Sequence, residues 1–70
     1  MKNSFFETVV NKTCGEYLAP ADYEIYNGTL FYTAPLSVSR KIFSNLMKEF
    51  NGRCKISRIE MDYYAVDFVA

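Results

Sequence analysis

The sequence predicts an α+β fold. It reads as a small antiparallel sheet of about four strands, with one or two helices packed on one face, in the order α-β-β-α-β-β. Three observations predict it. Asn27-Gly28 stands between alternating apolar residues in DYEIYNGTLFYT, the strongest short-range signal for a β-hairpin. LSVSRKIFSNLMKEFNG, residues 36–52, repeats its apolar residues at helical spacing and ends on a glycine. Residues 53–69 then alternate apolar and polar again, with one slip of phase.

The first element spans residues 4–14. Ser4 and Glu7 have the spacing of a capping box, in which the serine bonds a free N–H and the glutamate reaches back. Phe5 and Val9, then Phe6, Val10 and Cys14, recur at i,i+4, and Gly15 can stop the helix. The run Thr8-Val9-Val10 is β-branched and pulls the other way, so a strand is the alternative here. EYLAPA, around Pro20, reads as a connection.

The Asn27-Gly28 turn fixes the next pairing. A type I′ turn needs positive φ at both central residues, so Tyr26 pairs with Thr29, Ile25 with Leu30, Glu24 with Phe31 and Tyr23 with Tyr32. Tyr23, Ile25, Leu30 and Tyr32 then share the core face. Asp22, Glu24, Tyr26, Thr29, Phe31 and Thr33 share the other. Ala34-Pro35 ends the hairpin. In the following helix Ser37 or Ser39 can cap the N-terminus. Val38, Ile42, Phe43, Leu46 and Phe50 form the apolar stripe, with Phe43 expected in the core. Gly52 suits a left-handed residue at the helix end. Beyond it, Cys54 and Ile56 alternate in one phase, Ile59 and Met61 in the other, so a bulge is expected near Ser57-Arg58. Two strands, about 53–61 and 64–69, joined around Asp62-Tyr63, are favoured over one long bent strand. Tyr64, Val66 and Phe68 point inward; Asp62, Tyr63 and Asp67 look out.

Composition bounds what such a fold can do. The chain has 70 residues, enough for a single domain, and 50% of them are hydrophobic, including six Phe and six Tyr. That content argues for a packed core and against disorder. The opening MKNSFFETVV is broken by Asn, Ser, Glu and Thr, which speaks against a signal peptide. No apolar run approaches the length of a membrane span. Without export, Cys14 and Cys54 are expected as reduced, buried thiols.

Catalysis finds little support. Histidine is absent, which removes the commonest general base and the usual partner of a nucleophile. The three glycines stand apart and form no phosphate-binding loop. Two cysteines without histidine do not complete a four-ligand zinc site. The chain is therefore read as a non-enzyme without a cofactor.

Charge is uneven along the chain. Arg40, Lys41, Lys48, Arg53, Lys55 and Arg58 stand against Glu49, a net of +5 over residues 40–58. Residues 1–39 carry a net of −2, and Glu60, Asp62 and Asp67 give −3 over residues 59–70. Such a chain either neutralises itself on folding or presents a bipolar surface to a charged partner. Tyr26, Phe31 and Tyr63 add aromatic surface on the outward side. A basic strand beside exposed aromatics is one way to bind single-stranded nucleic acid. Tyr, Phe, Met and Arg at the centre of a contact are equally the composition of a protein interface.

APLSVSRKIF…NGRCKISRIE, about residues 34–60, resembles some small phage anti-CRISPR proteins. The matching pieces are Leu36-Ser37, Arg40-Lys41-Ile42, Gly52 and Arg58-Ile59-Glu60. The sequence differs in its extra N-terminal segment, its NG hairpin ahead of the helix and the lack of a turn glycine after Glu60. The resemblance implies an inhibitor, in the cytoplasm of a bacterial host, that binds a CRISPR–Cas complex and blocks its DNA binding or nuclease recruitment. It carries over Arg40 and Lys41 as contact residues. By charge alone, Glu60, Asp62 and Asp67 can instead imitate DNA phosphates toward Lys or Arg of the partner. Monomer and homodimer are both compatible with the sequence, since an exposed C-terminal edge strand can pair two copies.

Overall fold

The computed structural model describes residues 4–69. Two helices, α1 (Ser4–Gly15) and α2 (Leu36–Glu49), pack with four strands: β1 (Tyr23–Tyr26), β2 (Thr29–Thr33), β3 (Cys54–Glu60) and β4 (Tyr63–Phe68). The order is α-β-β-α-β-β, as the sequence predicts, and a single helical turn, Pro20–Asp22, leads into β1. No helix among the described residues is long and apolar enough to cross a membrane.

Helix α1 forms despite its β-branched run because one of its faces is buried. Val10 and Cys14 are fully buried four residues apart, and Phe6 is half-buried. Burial of that stripe outweighs the small intrinsic penalty of Thr and Val. The Ser4 side chain, and with it the expected capping box, lies outside the described residues. Gly15 is the last residue of the helix and does not take a left-handed φ. The N–H groups of Tyr17 and Leu18 instead close onto the Cys14 carbonyl, at 3.0 and 2.8 Å.

The β1–β2 hairpin has the predicted register, from Tyr26–Thr29 to Tyr23–Tyr32. Asn27 and Gly28 take φ of 51° and 79°, as a type I′ turn requires. The second hairpin settles the choice between two strands and one bent strand. Glu60 pairs with Tyr63 across a two-residue turn, Met61-Asp62. Asp62 supplies the positive φ, 63°, in place of glycine; aspartate tolerates that region better than most residues. The Asp62 carbonyl also accepts the Ala34 N–H at 2.8 Å. The bulge falls between Arg58 and Glu60, slightly later than expected.

The sheet order is β1-β2-β4-β3, all antiparallel. The C-terminal strand is therefore interior, and the exposed edges are β1 and β3. This corrects the expectation of a C-terminal edge. Both helices lie on one face, where Val10, Cys14, Ile42 and Leu46 meet Leu30, Tyr32, Tyr64 and Val66. Phe6, Phe50 and Phe68 close one end, with ring centroids 4.8–5.9 Å apart in tilted and edge-on pairs.

Two expectations about α2 change. Pro35 is its N-cap, without a side-chain cap hydrogen bond, so Ser37 and Ser39 lie inside the helix. Ser39 is buried, and its hydroxyl shares a 2.6 Å hydrogen bond with the Tyr32 hydroxyl. Phe43 is only half-buried; the stripe is centred on Ile42 and Leu46, both fully buried. At the other end Gly52 takes φ of 77°, preceded by Asn51 at 55°. The Gly52 N–H bonds the Met47 carbonyl at 2.8 Å, the kind of closure expected for a helix C-terminus.

Candidate partner-binding surfaces

The fold divides the basic centre of the sequence among separate surfaces. Successive residues of a helix point about 100° apart, so Arg40 and Lys41 diverge. Arg40 turns toward β3. Lys41 and Lys48, seven residues apart, share a solvent ridge with Asn45, whose amide donates to the Tyr17 hydroxyl at 3.0 Å. Arg53 is exposed in the connection to β3, and its carbonyl accepts the Val69 N–H at 2.9 Å.

Strand register places the rest. Lys55 pairs with Asp67, Ser57 with Ala65 and Glu60 with Tyr63, all on the face that the helices leave open. Glu24 and Phe31 pair on the same face, as do Phe31 with Ala65 and Thr33 with Tyr63. Phe31 and Tyr63 stack diagonally across this face, centroids 6.3 Å apart and planes 23° from parallel. Tyr26 is 64% exposed at the hairpin end. Asp67 accepts the Thr29 hydroxyl at 2.8 Å. The residues around the aromatic pair are thus mostly acidic: Glu24, Glu60 and Asp67 against Lys55.

Arg58 belongs to the opposite face, because it pairs with the inward residue Tyr64. There α2 leaves part of β3 uncovered. A groove of about 320 Å³ runs between them, lined by Leu36, Ser39, Arg40, Phe43, Ile56, Arg58 and Tyr64. Leu36 is 53% and Ile56 36% exposed. An apolar floor is thereby flanked by two arginines with no acid in the lining. Sequence reasoning places Arg40 and Arg58 as contacts but misses Leu36 and Ile56. Leu36 is hidden because the helix is expected to start later. Ile56 alternates in phase with core residues, and only the short reach of α2 exposes it.

Burial pushes the Cys14 thiol from 9.0 up to about 12, and raises Cys54 in the same direction. Burial also pushes the Tyr32 hydroxyl from 10.0 up to about 12, partly opposed by its hydrogen bond to Ser39. Thiols held protonated are poor nucleophiles. No group of three or more Cys, Asp or Glu among the described residues is placed to hold a metal ion. These shifts predict an alkaline limit to stability. Each group loses its proton more easily in the unfolded chain, so stability is complete below pH 9 and is lost as pH rises. From pH 9 toward 12, Cys14 alone removes about 1.4 kcal/mol per pH unit, and Tyr32 adds to the slope above pH 10. Urea titrations at pH 8, 9, 10 and 11 check this; a flat profile would contradict it, and Cys14→Ala should remove its share of the slope.

No protein-family model, curated protein or solved structure matches the chain.

Proposed function

We propose that the chain is a binding protein and not an enzyme: a phage-type inhibitor that engages a host CRISPR–Cas complex, or another nucleic-acid-handling complex, by protein–protein contact. In this reading it blocks DNA binding or nuclease recruitment. The observation that carries the contact reading is the groove between α2 and β3. An apolar floor with Leu36, Phe43 and Ile56, rimmed by Arg40 and Arg58, has the composition of an interface centre. The choice of target follows the resemblance over residues 34–60, which points to the same helix.

Direct binding of single-stranded nucleic acid is the competing reading. The stacked Phe31 and Tyr63 favour it, since bases stack on exposed aromatic rings. The charge around that pair opposes it. A phosphate chain crossing the open face meets Glu24, Glu60 and Asp67 with only Lys55 in compensation, and phosphate neutralisation supplies most of such binding energy.

Arg40→Glu with Lys41→Glu separates the readings. Both side chains are exposed, so the fold should survive. Tagged protein incubated in bacterial lysate should retain a defined protein complex after nuclease treatment, and the double variant should lose it at least tenfold. Capture that vanishes with nuclease would support nucleic-acid binding instead. Capture unchanged in the variant would remove α2 from the interface.

A further inference from the structure

The longest strand of the sheet is also one of its edges. β3 has seven residues, against four in β1 at the other edge. The alternation of the ladder shows which backbone groups β3 leaves free. Glu60 and Tyr63 flank a two-residue turn, and the pair that closes such a turn is a hydrogen-bonded one. Along β4, Tyr63, Ala65 and Asp67 therefore turn their N–H and C=O toward β3, where Ser57 and Lys55 receive them. The Val69 N–H, bonded to the Arg53 carbonyl, continues the same phase. Cys54, Ile56 and Arg58 consequently turn their N–H and C=O to the open edge.

We propose that this edge pairs with the β3 of a second copy of the chain, antiparallel, about a two-fold axis at Ser57. Two features of the strand choose a second copy over an unrelated strand. The first is backbone phase. With Ser57 on the axis, Ile56 stands opposite Arg58 of the second copy, and both carry the free N–H and C=O groups. The pair exchanges both bonds and the two-fold repeats them. The second is charge. Before the bulge at Ile59 the odd residues of β3 face the open side; after it, Glu60 does. Lys55 and Glu60 therefore lie on one face of the sheet, and past the bulge Lys55 comes opposite Glu60 of the second copy. The two-fold makes this pair twice. Without the bulge Glu60 would point to the other face, and the edge would not complement itself.

Side chains agree on both faces. On the open face the axis passes between two Ser57 side chains, each beside Ala65, small enough for close approach. On the helix face Ile56 meets the stem of Arg58 of the second copy, and the two grooves adjoin across the axis. The result is one continuous eight-stranded sheet. Pairing leaves the Lys41–Lys48 ridge of α2 in solvent, and it stands independently of any host target.

Sedimentation equilibrium and a directed disulfide test the inference on the full chain. Wild type should sediment at twice 8.1 kDa at high micromolar concentration. Lys55→Glu should weaken the dimer by about tenfold, two attractive pairs being replaced by repulsive ones, and Lys55→Glu with Glu60→Lys should restore it. Ser57→Cys should oxidise to a disulfide-linked dimer. Directly opposed Cα atoms in such a ladder lie about 4.5–5.5 Å apart, within disulfide reach, and both native thiols are buried. Lys41→Cys is the exposed control and should cross-link far more slowly. A chain still monomeric at millimolar concentration overturns the proposal. So does open-ended polymer, which signals β1-to-β3 contact. A folded charge-swapped variant, checked by circular dichroism, that stays weak overturns the register.

Discussion

Ile42→Ala is expected to leave the chain largely unfolded at 37 °C. Ile42 is fully buried on α2, between α1 and the sheet. Truncating such a residue removes its transfer free energy and leaves a cavity, a loss of about 2–5 kcal/mol. A domain of this length rarely holds more than about 3–5 kcal/mol in its core, so the loss is comparable to the whole. Phe43→Ala, one position on, should cost about half as much, because that ring is only half-buried and lines the groove. Urea denaturation followed by far-ultraviolet circular dichroism measures both. The order matters more than either value. A greater loss for Phe43 than for Ile42 would mean that α2 is rotated about its axis relative to the sheet.

That rotation marks where sequence reasoning ran out. The stripe Val38, Ile42, Phe43, Leu46, Phe50 is visible from spacing alone, but spacing defines a broad face, not its centre. The centre depends on where the helix lies across the sheet, which is a tertiary property. The hairpin at Asn27-Gly28 was fully legible, register included, because a two-residue type I′ turn leaves no freedom. The second hairpin was half legible. Its strands showed in the alternation, yet Asp62 hid the turn by taking a conformation usually left to glycine. Sheet order was not legible at all. Nothing local states that β4 inserts between β2 and β3, and that insertion decides which strand is an edge. The same holds for the charges: a run with a net of +5 in sequence becomes a ridge, a groove rim, one residue in a connection and one on an acidic face. Charge counted along a chain predicts a surface only where neighbouring residues share a side.

Ser39 is the other case, and it carries the second large effect. A serine near a helix start suggests a cap; this one turns inward, and its hydroxyl meets that of Tyr32 at 2.6 Å in the core. No buried side-chain polar atom among the described residues lacks a partner, and removing the Ser39 hydroxyl orphans that of Tyr32. Ser39→Ala should cost about 1–3 kcal/mol, the penalty of a buried group left without its bond. Tyr32→Phe should cost less. Ser39 sits within α2, and its hydroxyl can turn back to the carbonyl of Pro35, four residues earlier. The Tyr32 hydroxyl, at the end of a rigid ring, has no such alternative. Tyr32→Phe with Ser39→Ala should cost less than the two single changes summed, with a coupling of about 0.5–3 kcal/mol. Thermal or urea unfolding of the four proteins closes this cycle. Strict additivity would show that the hydrogen bond contributes nothing net. Coupling with Tyr32→Phe the costlier single change would show that Ser39 has no second acceptor, so the bond pins that turn of α2 to β2.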